Sequence, residues 1–211
     1  MHVKPTKIKE VIQEVLKEKG KRKFLQSVEM SINFRSIDFS KPENRLNLDI
    51  TLPKGRGKKE NKVVVIGSEK VVSEAKNLGI ETILVNDIQN YDLKKVKKMA
   101  NNSFFLAEPK AMGIVAKHWG RVLGPRGKIP RPLIGDMKKA VEQVKKSVRI
   151  QTKGKYLPTI HTFIGEENMD ADSLAENAEA VINEIKKKVP EGNIKSIYFK
   201  LTMSKPVKMR E

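Results

Sequence analysis

The stretch from Gly120 to Gly135, GRVLGPRGKIPRPLIG, sets four glycines, three prolines and four basic residues between apolar anchors. Residues of these types can bind an anion. Glycines let backbone amides approach it closely, and Arg126 and Lys128 add charge. The same residues would also serve a rigid loop that packs Leu123 and Ile129 and exposes its charges. A second candidate is the last strand, NIKSIYFKLTM, followed by SKP. Ser196, Tyr198, Lys200 and Thr202 fall on one face by period two, with Met203 and Lys205 at the exit. Hydroxyls can hydrogen-bond a ribose 2′-OH, lysine can neutralise phosphate, and methionine can pack on sugar or base; a solvated strand face would look the same. Phe24, flanked by Lys21, Arg22 and Lys23, is either a core anchor or a stacking platform in a basic patch.

Catalytic chemistry finds no equivalent set. No G-x-G-x-x-G follows a strand, and GPRGKI lacks the spacing and hydroxyl residue of a phosphate-binding P-loop. His2, His118 and His161 are scattered, and no nucleophile, base and orienting group stand together. The GxxG in VLGPRGKIP is similar to the loop of KH domains, but Pro130 and Pro132 disfavour the helix that must follow it there.

The 211 residues carry a net charge of +18, which favours a polyanionic partner. Cysteine is absent, so disulfides and thiolate metal sites are excluded. The N-terminal MHVKPTKIKE has no apolar core of a signal peptide, and no apolar run is long enough to span a membrane. The cytoplasm is the expected location, with no membrane partner.

Helical spacing of Ile8, Val11, Ile12, Val15 and Leu16 predicts a first helix, ended at Gly20. SVEMSINF and LNLDITL alternate and predict half-buried, antiparallel strands. The glycine-rich, basic PKGRGKKENK, Pro53 to Lys62, reads as a linker. Beyond it VVVIG, TILV and FFLA are continuous apolar runs, as in strands buried on both faces, with helical segments between them. Ser68 is the expected cap of the first of these helices. Then alternation returns. VRIQTKGKYLPTIHTFIG predicts two strands about a turn at Gly154. DADSLAENAEAVINEIKKKVPEG predicts a strong helix, with Ser173 and Glu176 at capping-box spacing.

Neither end of the chain has enough strands for a stable sheet. The economical arrangement is one discontinuous, mostly antiparallel domain of residues 1–62 and 148–211, with residues 63–147 inserted as a parallel α/β domain. The two crossings between them would act as a hinge. Three small units in a row is the rival arrangement, but units of about 60 residues are marginal alone.

Four of these motifs together resemble the large-subunit ribosomal protein L-one family, in its archaeal type. VLGPRGKIPRP is similar to the family's loop signature and LPKGRGKK to its hinge. KFLQSVEMSINF and SIYFKLTMSKP resemble its two RNA-contacting segments. The resemblance implies a discontinuous two-layer domain carrying the main ribosomal-RNA site and an inserted Rossmann-like three-layer α/β domain without a cofactor. It implies RNA-binding positions at Lys23, Phe24, Ser27, Ser196, Thr202 and Met203, with Arg149 and Lys153, and a secondary basic loop at Arg126 and Lys128. It further implies a monomeric, non-enzymatic protein of the mobile stalk beside the tRNA exit site. Its partners would be large-subunit ribosomal RNA, tRNA at that site, and its own messenger RNA, which it would bind as a translational repressor. No small-molecule substrate is expected. The family usually has glycine after its TM dipeptide; Ser204 stands there here. A nucleotide-dependent α/β enzyme and a nonspecific DNA-binding protein are the competing readings.

Overall fold

A computed structural model describes residues 5–58, 60–152 and 156–209. In chain order the first elements are α1 (Pro5–Leu16), β1 (Ser27–Phe34), β2 (Asn47–Thr51), β3 (Lys62–Gly67), α2 (Glu69–Asn77), β4 (Glu81–Leu84), α3 (Leu93–Asn102) and β5 (Ser103–Ala107). There follow α4 (Met112–Leu123), β6 (Arg131–Pro132), α5 (Met137–Lys146), β7 (Ser147–Gln151), β8 (Thr159–Glu166), α6 (Ala171–Lys186), β9 (Ile194–Leu201) and β10 (Val207–Lys208). The chain divides into two units: Met1–Glu60 with Lys146–Glu211, and Asn61–Lys145.

The first unit is built on a four-stranded antiparallel sheet in the order β10-β9-β1-β8. Alternation dictates its two faces. Val28, Met30, Ile32 and Phe34 of β1 point into a core shared with Ile8, Ile12 and Val15 of α1 and Leu174, Val181 and Ile185 of α6. Ser27, Glu29, Ser31 and Asn33 point the other way. The expected hairpin of β7 with β8 does not form. β7 pairs with β2, Arg149 opposite Asp49, in a separate antiparallel pair, and β8 pairs with β1. Gly154, where the turn was expected, lies outside the described residues. The α6 helix is capped by Asp170 and not by Ser173: the Asp170 carboxylate accepts the Ser173 N–H at 2.8 Å. That bond holds its pKa below the ordinary aspartate value.

The glycine-rich, basic stretch after β2 is docked against this unit rather than free. Lys54 N–H donates to Asn177 Oδ1 at 2.9 Å, and Asn177 Nδ2 donates to the carbonyls of Gly55 and Ile164, each at 2.9 Å. Lys58 N–H donates to Glu166 Oε2 at 2.7 Å. The Arg56 guanidinium lies over the Phe163 ring, 4.3 Å from its centre, and donates to the Ser147 carbonyl. Gly57, at φ +82°, is required: a Cβ there would collide with the Glu166 carboxylate.

The second unit is a parallel sheet in the order β4-β3-β5-β6 between two helical layers. Val63 and Val65 of β3 meet Ala75 of α2 and Met137, Val141 and Val144 of α5. Val64 and Ile66 meet Val96 of α3 and Val115 and Trp119 of α4. Burial on both faces is why its strands read as unbroken apolar runs. The chain is thus α/β overall, a two-layer antiparallel unit interrupted by a Rossmann-like three-layer one.

Candidate nucleic-acid interface

At one end of β1 a buried carboxylate organises the surface. Glu167 is 4% exposed; its Oε1 accepts the Gln26 N–H at 3.1 Å, and its Oε2 accepts Gln26 Nε2 at 3.0 Å and the Gly20 N–H at 3.3 Å. Gln26, itself 2% exposed, accepts the Met203 N–H on its Oε1 at 3.1 Å. One residue on, Ser27 N–H donates to Thr202 Oγ1 at 3.0 Å, and Thr202 N–H donates back to the Ser27 carbonyl at 3.1 Å. The turn carrying Thr202 and Met203 is therefore tied to the start of β1. Both large apolar side chains stay in solvent, Met203 at 58% exposure and Phe24 at 51%. Phe24 is not a core anchor. Lys23 beside it is exposed.

The turn has its own closure. Ser204 Oγ accepts the Leu201 N–H at 2.8 Å, and Ser204 N–H donates to the Leu201 carbonyl at 3.2 Å. Positive φ is confined, among described non-glycine residues, to Ser36 and Tyr156. Ser204 therefore needs no glycine-like backbone, and its hydroxyl does part of the work of closing the turn.

The single row expected along the last strand divides. β9 ends at Leu201, so Thr202 lies beyond it. Ser196 sits at the opposite end, opposite Asn33, roughly 20 Å from Thr202 at about 3.3 Å per residue. It is buried, and its Oγ accepts Asn33 Nδ2 at 3.0 Å; Asn33 Oδ1 accepts the Thr159 hydroxyl at 2.8 Å. Between the two ends the open face of the sheet presents Glu29 opposite Lys200 and Phe163, and Ser31 opposite Tyr198 and His161. Ser31 Oγ lies 2.7 Å from His161 Nδ1. His161 was overlooked as a face residue, although Ile160, Thr162 and Ile164 around it are buried in alternation.

Arg149 stands on the separate β2–β7 pair, where Nε and Nη2 grip the two oxygens of Asp49 at 2.7 and 2.6 Å. Lys153 lies outside the described residues.

The glycine-proline loop of the second unit turns out to be a helix stop. Gly127, at φ +62°, donates its N–H to the Gly124 carbonyl at 2.9 Å, and Lys128 N–H donates to that of Leu123 at 3.0 Å. These amides are engaged within the loop, so they do not form an anion cradle. Arg126 reaches back to the Val122 carbonyl, and Lys128 Nζ rests 3.3 Å from the centre of the Phe104 ring. Leu123 is buried as expected, whereas Ile129 is 55% exposed rather than packed.

Open α/β sheets take nucleotides where strand order reverses, here beyond β3 and β5. Glu108, after β5, places Oε2 2.9 Å from the Ser68 N–H at the head of α2. A carboxylate of the chain thus holds the position a phosphate would take, and that bond lowers its pKa. Ser68 occupies the cap position, but its side chain makes no capping bond.

The family model described as ribosomal protein L1p/L10e family matches residues 16–205. The large ribosomal subunit protein uL1 of Thermofilum pendens is 43% identical over 210 residues, covering 96% of this chain and 92% of the relative. That of Thermococcus kodakarensis is 40% identical over 211 residues, covering 96% of each. That of Archaeoglobus fulgidus is 37% identical over 217 residues, covering 99% of this chain and all of the relative.

Proposed function

The chain belongs to the ribosomal protein L1p/L10e family, and from that premise we propose that its first unit holds ribosomal RNA through the surface ordered by Glu167. It is a structural, RNA-binding protein of the large ribosomal subunit. The observation that carries the assignment of the surface is the cross-chain tie of Ser27 to Thr202, with Met203 and Phe24 left exposed beside it. Ordering is finished before RNA arrives, so binding does not have to supply it. Phe24 offers a face for stacking, Met203 an apolar cap for a sugar or base, and Lys23 a charge for phosphate. Ser196 and its Asn33 partner, at the far end of the sheet, extend the contact along the open face through Tyr198 and Lys200. Arg149 joins only by sharing or releasing Asp49.

The protein acts by binding and not by catalysis; the Glu108 carboxylate at the head of α2 speaks against a nucleotide there. On the ribosome it would work as a monomer at the mobile stalk near the tRNA exit site, where it would contact tRNA and assist release of the deacylated form. A similar RNA structure in its own messenger would let it repress its own translation. Residues 63–147 would move as an insert about the two crossings.

Footprinting on total ribosomal RNA tests the reading. One protected large-subunit segment, lost in Phe24→Ala/Met203→Ala but kept in Arg126→Ala/Lys128→Ala, is the expected result. Protection without a preferred site would reject it.

A further inference from the structure

The net basic charge of the second unit is concentrated in one stretch of chain, most of it on one helical layer, with Lys128 and Arg131 set instead against Phe104 on the other side of the sheet. Between Leu93 and Arg131 stand ten lysines and arginines and a single carboxylate, so half of the +18 excess lies in 39 residues. These residues build α3, β5, α4 and the loop after it. Val96 and Ala100 turn α3 towards the core, which leaves Lys94, Lys95, Lys97 and Lys98 in solvent on two successive turns. Lys117 and Arg121 stand exposed on α4, which packs against the same core. Arg126 Nε lies 3.4 Å from Asn101 Oδ1, linking the loop to the end of α3.

The two carboxylates nearest this layer in sequence are both spent on backbone. Asp92 caps α3 by accepting the Lys94 N–H at 2.9 Å, and Glu108 accepts that of Ser68. Among the described residues no ion pair involves Lys94, Lys95, Lys97 or Lys98. The opposite layer is built differently. α2 alternates Glu69 and Glu74 with Lys70 and Lys76, a net charge of zero, and α5 carries Lys138, Lys139, Lys145 and Lys146 with Asp136 and Glu142 among them. Both layers are solvated helix faces on one sheet, so solubility alone does not call for the difference.

We propose that the α3–α4 layer is a second RNA-binding surface, one that takes the phosphate backbone of an RNA double helix without reading its sequence. The inference rests on the ribosomal-RNA reading of the first unit, and it names a separate site. Four lysines on one helix face make an electrostatic track for a phosphate row, and each phosphate they neutralise releases counterions. Leu93 and Ile114 are the large apolar side chains exposed on the two helices, too few to form the contiguous patch of a membrane or protein contact.

The experiment measures binding of the full chain to an unrelated RNA hairpin across a salt series. K94Q/K95Q/K97Q/K98Q is compared with K70Q/K76Q/K138Q/K139Q, which removes the same charge from the opposite layer. The α3 variant should lose at least tenfold in affinity at low salt, and its log K against log salt slope should flatten by about three. The control should stay within threefold of wild type with its slope kept. Equal losses in both would reduce the effect to net charge and overturn the surface; no loss in the α3 variant would also overturn it. If the α3 variant keeps hairpin binding but loses binding to phosphatidylserine vesicles, the layer serves a membrane and the RNA proposal falls. Phe24→Ala/Met203→Ala should abolish the preferred ribosomal footprint. Failure of that footprint to depend on Phe24 and Met203 would reject the first-unit reading without touching this one.

Discussion

Gln26 and Glu167, separated by 141 residues, are joined by two hydrogen bonds, one from the Gln26 backbone and one from its side chain. The far end of the same Gln26 amide holds Met203. A buried carboxylate beside the proposed RNA surface would work against binding by charge, so on that proposal its contribution is geometric. It supplies acceptors, and acceptors alone, to three converging donors.

Glu167→Gln keeps the size and replaces one acceptor with a donor facing Gln26 Nε2. It is expected to weaken ribosomal-RNA binding by about 1–3 kcal/mol. The double variant Gln26→Glu/Glu167→Gln restores an amide–carboxylate pair in reverse and should recover part of that loss. A filter-binding cycle of the four proteins checks it; strict additivity would show that the pair does not act as a unit.

Thr202→Val removes the acceptor of the Ser27 N–H without changing shape. About 1–3 kcal/mol of RNA affinity should be lost, with the salt slope unchanged because no ionic contact disappears. Unfolding of the free protein should shift in the same direction, since the Ser27 amide loses its partner there too. Wild-type affinity in a folded variant would remove Thr202 from the interface.

Asn177→Ala strips hydrogen bonds from Lys54, Gly55 and Ile164 inside the first unit, at an expected cost of roughly 2–4 kcal/mol. The only tryptophan, Trp119, lies in the core of the second unit. Denaturant unfolding followed by tryptophan fluorescence should therefore stay near wild type, while part of the far-ultraviolet circular dichroism transition moves to lower denaturant. Two transitions shifting together would mean that the units unfold as one.

Glu108 gives the second unit a pH dependence of predictable sign. Its folded pKa lies below the ordinary glutamate value of 4.5, through the bond from Ser68 N–H. The stabilisation is complete above that value and is lost as pH falls through the lowered one. Glu108→Gln should flatten the acid limb of the fluorescence-detected stability profile and leave its neutral plateau less stable. An unchanged acid limb would show that the carboxylate is not held in solution.

Local order was legible wherever one periodicity governed a segment. Alternation marked β1, unbroken apolar runs marked β3 and β5, and 3.6-residue spacing marked α1 and α6. What escaped depends on partners far along the chain. The basic stretch after β2 looked like a linker because its anchors, Asn177 and Glu166, come more than 100 residues later. β7 was expected to turn back on β8, but its edge is taken by β2. At the candidate interface Thr202 is marked by strand period and Ser27 by resemblance, whereas Gln26 and Glu167 had no signal: a single buried polar residue has no period. The glycine-proline loop had signal in excess, since a helix stop and an anion cradle call for the same glycines.

The carboxylate at the head of α2 also bears on how the protein lives among metabolites. A doubly wound sheet with an open phosphate seat would be stabilised by whatever nucleotide is abundant, by mass action. Its stability would then rise and fall with the energy charge of the cell. Glu108, tethered to the chain, competes for the Ser68 N–H at the head of α2 as an intramolecular acceptor. On the reading proposed above, the stability of the insert would then be set by its own side chains and would not follow the nucleotide supply.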